Sequence, residues 1–289
     1  MKLENDSNRP ARARTSYNPA ASGHTEETAA TLSRHSHRFA EVARAAAGFF
    51  LPSRCLACAS RDVDELFRGG VCRDCWAEIP APDGLGCAVC SETLPASSST
   101  DAGTCGRCLL DPPAFARLLS AAPYRGTARA MLLAFKFRGA DYLGPRLAEE
   151  MLRRLPPPGD CASVAAVPAT DRARRSRGYH PAEVLAAAVA ERLGLPFRRG
   201  LLRKTRETLV QSLVPAAGRA ANVHRAFRAA ERPAGGVLLI DDVATSGATA
   251  RECARRLAAA GGSPIIVWCF ARASRLDMDP RSETLEGAA

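Results

Sequence analysis

Eight of the eleven cysteines form four C-x-x-C pairs within residues 55–108, and these pairs constrain the fold more than any other local feature. A C-x-x-C turn directs two thiolates at one point, and two such turns complete a tetrahedral zinc site of four sulfurs. The pattern therefore predicts two zinc sites. Both are structural, because a closed four-sulfur site leaves no open position for catalysis. The predicted ligands are Cys55, Cys58, Cys72, Cys75, Cys87, Cys90, Cys105 and Cys108.

The spacing of the pairs favours sharing between neighbours. Thirteen residues separate the first pair from the second, and fourteen separate the third from the fourth, so adjacent pairing needs the shortest loops. Interleaved pairs, a single zinc site, a disulfide framework and redox C-x-x-C motifs are the alternatives. Because the cysteines lie far in sequence from the other motifs, we expect Cys55→Ser to leave ligand binding largely intact. Of the remaining cysteines, Cys253 and Cys269 are expected to be small core residues.

Composition and charge narrow the class of protein. Of the 289 residues, 46% are hydrophobic and 24% charged, which excludes a wholly disordered chain. We see no apolar run near the roughly 20 residues that span a bilayer and no secretory signal, and expect a cytoplasmic protein without membrane insertion. The net charge of +10 attracts phosphate-bearing partners. Only three of the 40 basic residues are lysine, however, which indicates arginine-rich codon usage and weakens the argument for nucleic acid.

The chain is predicted to contain an extension, a double zinc ribbon, an α/β domain and a tail. Residues 1–46 are expected to be disordered, with a short helix over 37–50, and residues 47–112 to form the ribbon. In 113–275, apolar runs alternate with helical segments, which predicts a largely parallel sheet with flanking helices. Residues 276–289 are expected to be a disordered tail. The predicted strands are 163–167, 236–240 and 264–271, and the predicted helices are 128–137, 143–155, 181–193 and 247–260.

The segment 237–249, VLLIDDVATSGAT, joins a buried apolar run to two acids, a stretch of small residues and a helix. In a parallel sheet this places the loop at the carboxyl end of a strand, where ligands bind. Its backbone N–H groups can wrap an anion, and the helix N-terminus adds favourable polarity. Gly247 allows a close approach of the backbone. The predicted phosphate-binding residues are Ala244, Thr245, Ser246, Gly247, Ala248 and Thr249.

The two acids, Asp241 and Asp242, suit another part of the same ligand. Carboxylates repel phosphate, but they accept hydrogen bonds from hydroxyl groups or hold a metal-bridged ligand. A phosphate beside a diol indicates a sugar phosphate. An acidic pair that only holds a metal or caps a helix is the alternative, and it does not explain the loop of small residues. The absence of G-x-x-x-x-G-K-[ST] and G-x-G-x-x-G argues against the P-loop and dinucleotide-binding classes.

The segment 237–249 resembles the motif with which type I phosphoribosyltransferases bind phosphoribosyl pyrophosphate (PRPP). The resemblance implies that Asp241 and Asp242, the catalytic candidates, contact the ribose 2′- and 3′-hydroxyls. It also implies that residues 244–249 bind the 5′-phosphate and that Mg²⁺ accompanies PRPP. The fold it implies is an α/β phosphoribosyltransferase-like parallel sheet with flanking helices, preceded here by the zinc ribbon.

Other segments resemble the ComF (competence) family. Residues 167–181, VPATDRARRSRGYHP, resemble its segment ending in R-G-[FY]-N-Q, and residues 136–139, KFRG, resemble its K-[FY]-x-G element. The resemblance extends over about residues 48–272. His180 and Pro181 replace the family's Asn-Gln, and Pro181 has no backbone donor for a ligand. We expect His180 to begin the following helix, with an acid/base role as the alternative.

Three basic residues are candidates for binding the pyrophosphate. Arg174 and Arg177 lie in an arginine-rich loop after the first predicted strand, and guanidinium groups suit phosphate oxygens. A solvated basic loop is the alternative. Lys136 is one of only three lysines, which indicates that a point charge is needed there. The basic stretch 203–228 is either a flexible hood over the site or a surface excursion.

The resemblance implies one of two functions. The enzyme would be a phosphoribosyltransferase, in the glycosyltransferase class, whose acceptor the sequence does not identify. The non-catalytic alternative is an accessory protein in DNA uptake and natural transformation that binds PRPP or DNA. Its partners would be single-stranded DNA and the uptake machinery. Fold alone does not decide between them.

Overall fold

Four parallel strands form the central sheet of the protein. The computed structural model describes residues 54–60, 70–82, 86–94, 103–169, 175, 177–206 and 218–273, all within the unit Ser53–Ala289. The strands are β1 (Arg117–Pro123), β2 (Cys161–Ala166), β3 (Leu202–Lys204), β4 (Phe227–Ala229), β5 (Gly236–Ala244) and β6 (Ile265–Arg272). The sheet order is β1-β6-β5-β2, and β3 pairs with β4 as a separate antiparallel ribbon. The predicted extension, its helix and the predicted tail lie outside the described residues.

Helices cover the sheet, as the alternation of apolar and helical segments predicts. They are α1 (Arg73–Ala77), α2 (Gly106–Leu110), α3 (Gly126–Phe137), α4 (Gly144–Arg154), α5 (Pro181–Leu193), α6 (Arg219–Val223) and α7 (Ala248–Ala259). The prediction that His180 begins a helix is confirmed, because its Nδ1 accepts a hydrogen bond from the Glu183 N–H at 3.1 Å. Gly194 ends α5 with φ of 66°, a left-handed conformation that glycine adopts without steric cost. Among the described helices, none has the length and apolar character to cross a membrane.

Each face of the sheet has its own core. Side chains alternate across a strand, so Leu238 and Ile240 pack with α3, α4 and α5 on one face. Val237 and Leu239 pack with α7 on the other face. Cys253 and Cys269 are fully buried in this second core, which confirms the expectation of small core residues.

The two cysteine segments pack against opposite faces of the α/β domain. Cys55, Cys72, Cys75 and Trp76 belong to the first core, and Cys87, Cys90 and Cys108 belong to the second. The second segment also covers the edge of the sheet, because the Leu118 N–H on β1 donates to the Val89 carbonyl at 2.8 Å. A covered edge leaves fewer unpaired backbone groups on β1.

The strands and helices predicted within 113–275 all occur, with differences at some ends. The largest is in β5, which continues to Ala244, whereas the predicted strand stops at Ile240. The extra residues stay in the sheet because they pair with β6, with Asp241 beside Cys269 and Ala244 beside Arg272. The acidic pair therefore lies within the strand. The sequence analysis missed β1 and the three-residue strands β3 and β4.

Candidate functional site

The predicted phosphate loop lies between β5 and α7, at the carboxyl end of the sheet. Gly247 precedes the first residue of α7 with φ of 71°, so the turn requires a left-handed conformation. The Ser246 hydroxyl oxygen accepts a hydrogen bond from the Ala248 N–H at 3.4 Å. Ala244 and Ala248 are buried, whereas Thr245, Ser246 and Thr249 are half-buried. The loop joins a strand end to the positively polarised N-terminus of a twelve-residue helix.

Asp241 and Asp242 belong to opposite faces of β5, because successive strand residues alternate. Asp242 follows Ile240 towards α3, where its Oδ1 lies 2.9 Å from the Lys136 Nζ. Asp241 follows Leu239 towards α7, and its Oδ1 accepts the Asp242 N–H at 2.9 Å. The pair therefore presents two carboxylates with different surroundings.

Burial raises the pKa of Asp241 to about 7, and the charge of Asp242 adds to the increase. Lys136 acts in the opposite direction, because a nearby cation favours the ionised carboxylate. Asp241 can therefore change protonation near neutral pH. A half-buried carboxyl with a raised pKa beside a charged partner is a feature common at ligand sites.

The structure describes the positions of two of the three basic candidates, Lys136 and Arg177. Lys136 reaches the acidic pair from the last turn of α3. The guanidinium of Arg177 lies 5.0 Å from the centroid of the Phe137 ring. Phe137 directly follows Lys136 in the sequence, so Arg177 lies near the end of α3. The Tyr179 hydroxyl donates to the Phe135 carbonyl and ties the same segment to α3. Arg174 lies outside the described residues.

The cysteines form two separate clusters of four. The first contains Cys55, Cys58, Cys72 and Cys75, and the second contains Cys87, Cys90, Cys105 and Cys108. Within each cluster the four sulfurs lie within 4.8 Å of one another, which confirms the prediction that neighbouring pairs share a site. None of the eleven cysteines forms a disulfide, and the Sγ–Sγ distances of 3.7–3.8 Å within the clusters exceed the roughly 2.05 Å of an S–S bond.

Each cluster fits one structural zinc ion. Four thiolates are the usual ligand set of closed zinc sites. Backbone N–H groups point at the sulfurs, as in the contact of the Cys72 N–H with the Cys55 Sγ at 3.3 Å and the Cys105 N–H with the Cys87 Sγ at 3.3 Å. Such hydrogen bonds stabilise negative charge on a metal-bound thiolate.

The second cluster contacts the phosphate loop directly. Arg107, beside Cys108, donates from Nη1 to the Ser246 carbonyl at 2.6 Å. Arg251 of α7 donates from Nη2 to the Cys108 Sγ at 3.1 Å. The cysteines of the second cluster are therefore remote from the ligand loop along the chain but lie near it in space.

The cysteine segment of the first cluster is held by contacts with α3 and α4. Arg154 of α4 donates to the carbonyls of Ile79 and Pro80, at 3.0 and 3.2 Å. The Thr127 hydroxyl of α3 donates to the Glu78 carbonyl at 3.1 Å. These contacts fix the first cluster to the helices on the side of the sheet that Asp242 faces.

Sequence reasoning missed Arg107, Arg251 and Arg272. Arg107 and Ser246 are 139 residues apart in the chain, and no local pattern links them. Arg272 directly follows the third predicted strand, 264–271, and nothing in the local sequence marks it as a ligand residue. Its side chain is buried beside the phosphate loop, with a Cβ at Gly247 lying 3.7 Å from its Nη1.

Residues 46–109 match the double zinc ribbon domain. The chain is 30% identical over 179 residues to the DNA utilization protein YhgH of Salmonella typhi, covering 58% of this chain and 77% of that protein. It is 29% identical over 230 residues to YhgH of Escherichia coli K12, covering 77% of this chain and 98% of that protein. It is 26% identical over 237 residues to competence protein F of Haemophilus influenzae, covering 78% and 99%. A double zinc ribbon followed by a parallel α/β domain, together with these relatives, identifies the chain as a member of the ComF family.

Proposed function

We propose that the protein binds PRPP at the carboxyl end of β5 and acts in the use of DNA by the cell. The observation that carries the proposal is the pairing of Lys136 with Asp242 at the entrance to a strand–loop–helix anion site. The site contains three kinds of group, and each corresponds to one part of PRPP. The loop suits the 5′-phosphate, the carboxylates suit the ribose hydroxyls, and the cations suit the pyrophosphate.

The role of each residue follows from its surroundings. Asp242, paired with Lys136, accepts a hydrogen bond from one ribose hydroxyl, and Asp241 accepts a charge-assisted one from the other once it has lost its proton. Backbone N–H groups of residues 245–249 surround the 5′-phosphate at the start of α7. Arg177 contacts the pyrophosphate from the segment before α5, and Arg174 remains a pyrophosphate candidate from the sequence alone. Carboxylate oxygens of Asp241 and Asp242 would hold the Mg²⁺ of Mg²⁺–PRPP, which would supply positive charge to offset that of the pyrophosphate.

PRPP bound in this way could transfer its phosphoribosyl group to an acceptor. The bond between ribose C1 and the pyrophosphate oxygen breaks, its electrons leave with pyrophosphate, and a nucleophile of the acceptor donates a pair to C1. The protein contributes by holding the ribose and by stabilising the departing charge. A protein that binds PRPP without releasing pyrophosphate is the non-catalytic form of the same proposal.

Calorimetric titration of the wild-type protein with PRPP and Mg²⁺ tests the binding proposal. Ribose 5-phosphate and inorganic pyrophosphate are the matched ligands, and PRPP should bind more tightly than either because it engages all three parts of the site. Equal affinity for PRPP and inorganic phosphate would contradict the proposal. Release of pyrophosphate in the presence of candidate acceptors then separates the enzyme from the binding protein.

DNA is a second proposed ligand, and a specific observation favours it. Phe137 is 65% exposed and lies under the Arg177 guanidinium, so an aromatic ring and a cation form one open surface. Such pairs stack with bases of single strands in a sequence-tolerant way. The names of the relatives in Salmonella and Escherichia coli refer to DNA utilization, which agrees with a role beside DNA. Salt-sensitive binding of a single-stranded oligonucleotide tests it.

A further inference from the structure

Arg272 is the last residue of β6 and lies beside Ala244, the last residue of β5. Parallel pairing therefore brings a guanidinium to the point where the phosphate loop begins. The residue is buried, with 5% of its surface exposed. A buried arginine at a ligand-binding end of a sheet requires partners for its charge and its N–H groups.

Only part of that requirement is met within the described residues. Arg272 Nη2 donates to the Glu92 Oε2 at 2.6 Å, which pairs the charge with a carboxylate of the second cysteine segment. Its Nε and Nη1 are buried without an acceptor among the described residues. Unmade hydrogen bonds of a charged group are costly, so an acceptor supplied by a ligand would stabilise this arrangement.

The unpartnered side of the guanidinium lies against the loop. A Cβ built on Gly247 would lie 3.7 Å from the Arg272 Nη1, so this nitrogen is next to the turn that begins α7. The same turn offers backbone N–H groups and the positive end of a twelve-residue helix. Two independent features, the helix N-terminus and a buried arginine with free N–H groups, therefore meet at Gly247.

We propose that Arg272 is a phosphate-site residue, whose guanidinium supplies charge and hydrogen bonds to the phosphoryl group held by the loop. Glu92 is its positioning residue, because it holds Nη2 and leaves Nη1 next to Gly247. The ligand class is a phosphate monoester or inorganic phosphate. The identification of that phosphate with the 5′-phosphate of PRPP rests on the proposed function, whereas the anion site itself can be tested alone.

The test measures thermal stabilisation of the protein by inorganic phosphate and calorimetric affinity for ribose 5-phosphate and PRPP. The variants are Arg272→Gln, Arg272→Lys and Glu92→Gln. Arg154→Gln is the matched control, because it removes an arginine that ties the first cysteine segment to α4 away from the loop. Zinc content and circular dichroism establish that each variant retains its fold.

Arg272→Gln should weaken phosphate binding by about 10- to 100-fold, the loss expected for charge-assisted hydrogen bonds. Arg272→Lys should lose less, and Arg154→Gln should bind like the wild type. A variant that melts lower without ligand but keeps its phosphate affinity would assign Arg272 a structural role and overturn the proposal. If Arg272→Gln does not fold, unchanged phosphate affinity in both Arg272→Lys and Glu92→Gln overturns it.

The two proposals fail separately. Phosphate binding that depends on Arg272, with no preference for PRPP, supports the arginine and overturns the PRPP function. Tight PRPP binding that Arg272→Gln leaves unchanged overturns the role of the arginine and leaves the PRPP function standing. A wild-type protein that binds neither inorganic phosphate nor ribose 5-phosphate overturns the proposed phosphate site.

Discussion

Lys136 Nζ lies 2.9 Å from the Asp242 Oδ1, so a lysine at the end of α3 pairs with the second acid of β5. Their side chains are only 18% and 13% exposed, so the charges interact more strongly than they would in water. Lys136 also lowers the pKa of Asp241 against the effects of burial and of Asp242. The lysine therefore makes two adjacent carboxylates compatible with a partly buried position.

Replacing Lys136 should shift the titration of the acidic pair. Lys136→Met removes the cation that favours ionised Asp241, so the pKa of Asp241 should rise. Binding of PRPP at neutral pH should weaken by roughly tenfold through loss of one charge-assisted interaction. The measurement is PRPP affinity as a function of pH. Arg153→Met, at the exposed end of α4, is the control, and an identical pH midpoint in Lys136→Met and wild type would refute the coupling.

The affinity for PRPP should increase as pH rises through about 7, because Asp241, with its pKa near 7, accepts stronger, charge-assisted ribose hydrogen bonds after it ionises. Asp241→Asn should reduce this pH dependence to that of the ligand's own phosphates. Calorimetry of both proteins with the same ligand isolates the contribution of Asp241. A wild-type profile that superimposes on that of Asp241→Asn after scaling would contradict the assignment.

The same pKa has a consequence for stability without ligand. A carboxyl whose pKa is raised on folding binds protons more tightly in the folded state. Its contribution is fully present below the unfolded value of 3.8 and is lost as pH rises through about 7. The difference in free energy of unfolding between wild type and Asp241→Asn should change over this window in that direction. The opposite sign would mean that Asp241 is held ionised.

Removing a zinc ligand should have different effects in the two clusters. Purified protein should contain about two equivalents of zinc, as two four-cysteine sites require. Cys55→Ser and Cys87→Ser remove equally buried ligands, and each should lower the zinc content by one. Only Cys87→Ser should also weaken phosphate binding, because Arg107 and Arg251 connect its cluster to the loop. Equal phosphate affinity in the two variants would disprove this connection.

Phe137→Ala should weaken binding of a single-stranded oligonucleotide. Stacking of one base on an aromatic ring contributes about 1–3 kcal/mol, so the affinity should fall by at least about fivefold. Leu110→Ala is the control, since Leu110 is 90% exposed on α2 and has no ring. Fluorescence anisotropy at two salt concentrations measures both the loss and the expected weakening with salt. Equal losses in both variants would exclude a stacking role for Phe137.

The sequence predicts the parts of this fold that depend on local patterns. The C-x-x-C pairs predict both cysteine clusters with the correct partners, and Pro181 with Gly194 marks both ends of α5. The apolar run before Asp241 does not indicate where β5 ends, because pairing with β6 extends it.

The contacts around the loop depend instead on distant segments. Glu92 and Arg272 are 180 residues apart, and each is unremarkable within its own segment. Their pairing follows from the packing of the second cysteine segment against the carboxyl end of the sheet. Periodicity and spacing carry no information on such contacts, so the sequence could not have predicted them.

Calorimetric titration of Asp241→Asn/Asp242→Asn with PRPP and Mg²⁺, beside the wild type, tests the central claim most directly. Each acid should contribute a charge-assisted hydrogen bond of roughly 1.5–3 kcal/mol to a ribose hydroxyl, so the double variant should bind PRPP at least about 100-fold more weakly. Its affinity for inorganic phosphate should be unchanged or slightly higher, since the loop is intact and two negative charges are removed. If the wild type binds PRPP and the double variant binds it equally well, the acidic pair does not hold the ribose and the account of this site is wrong.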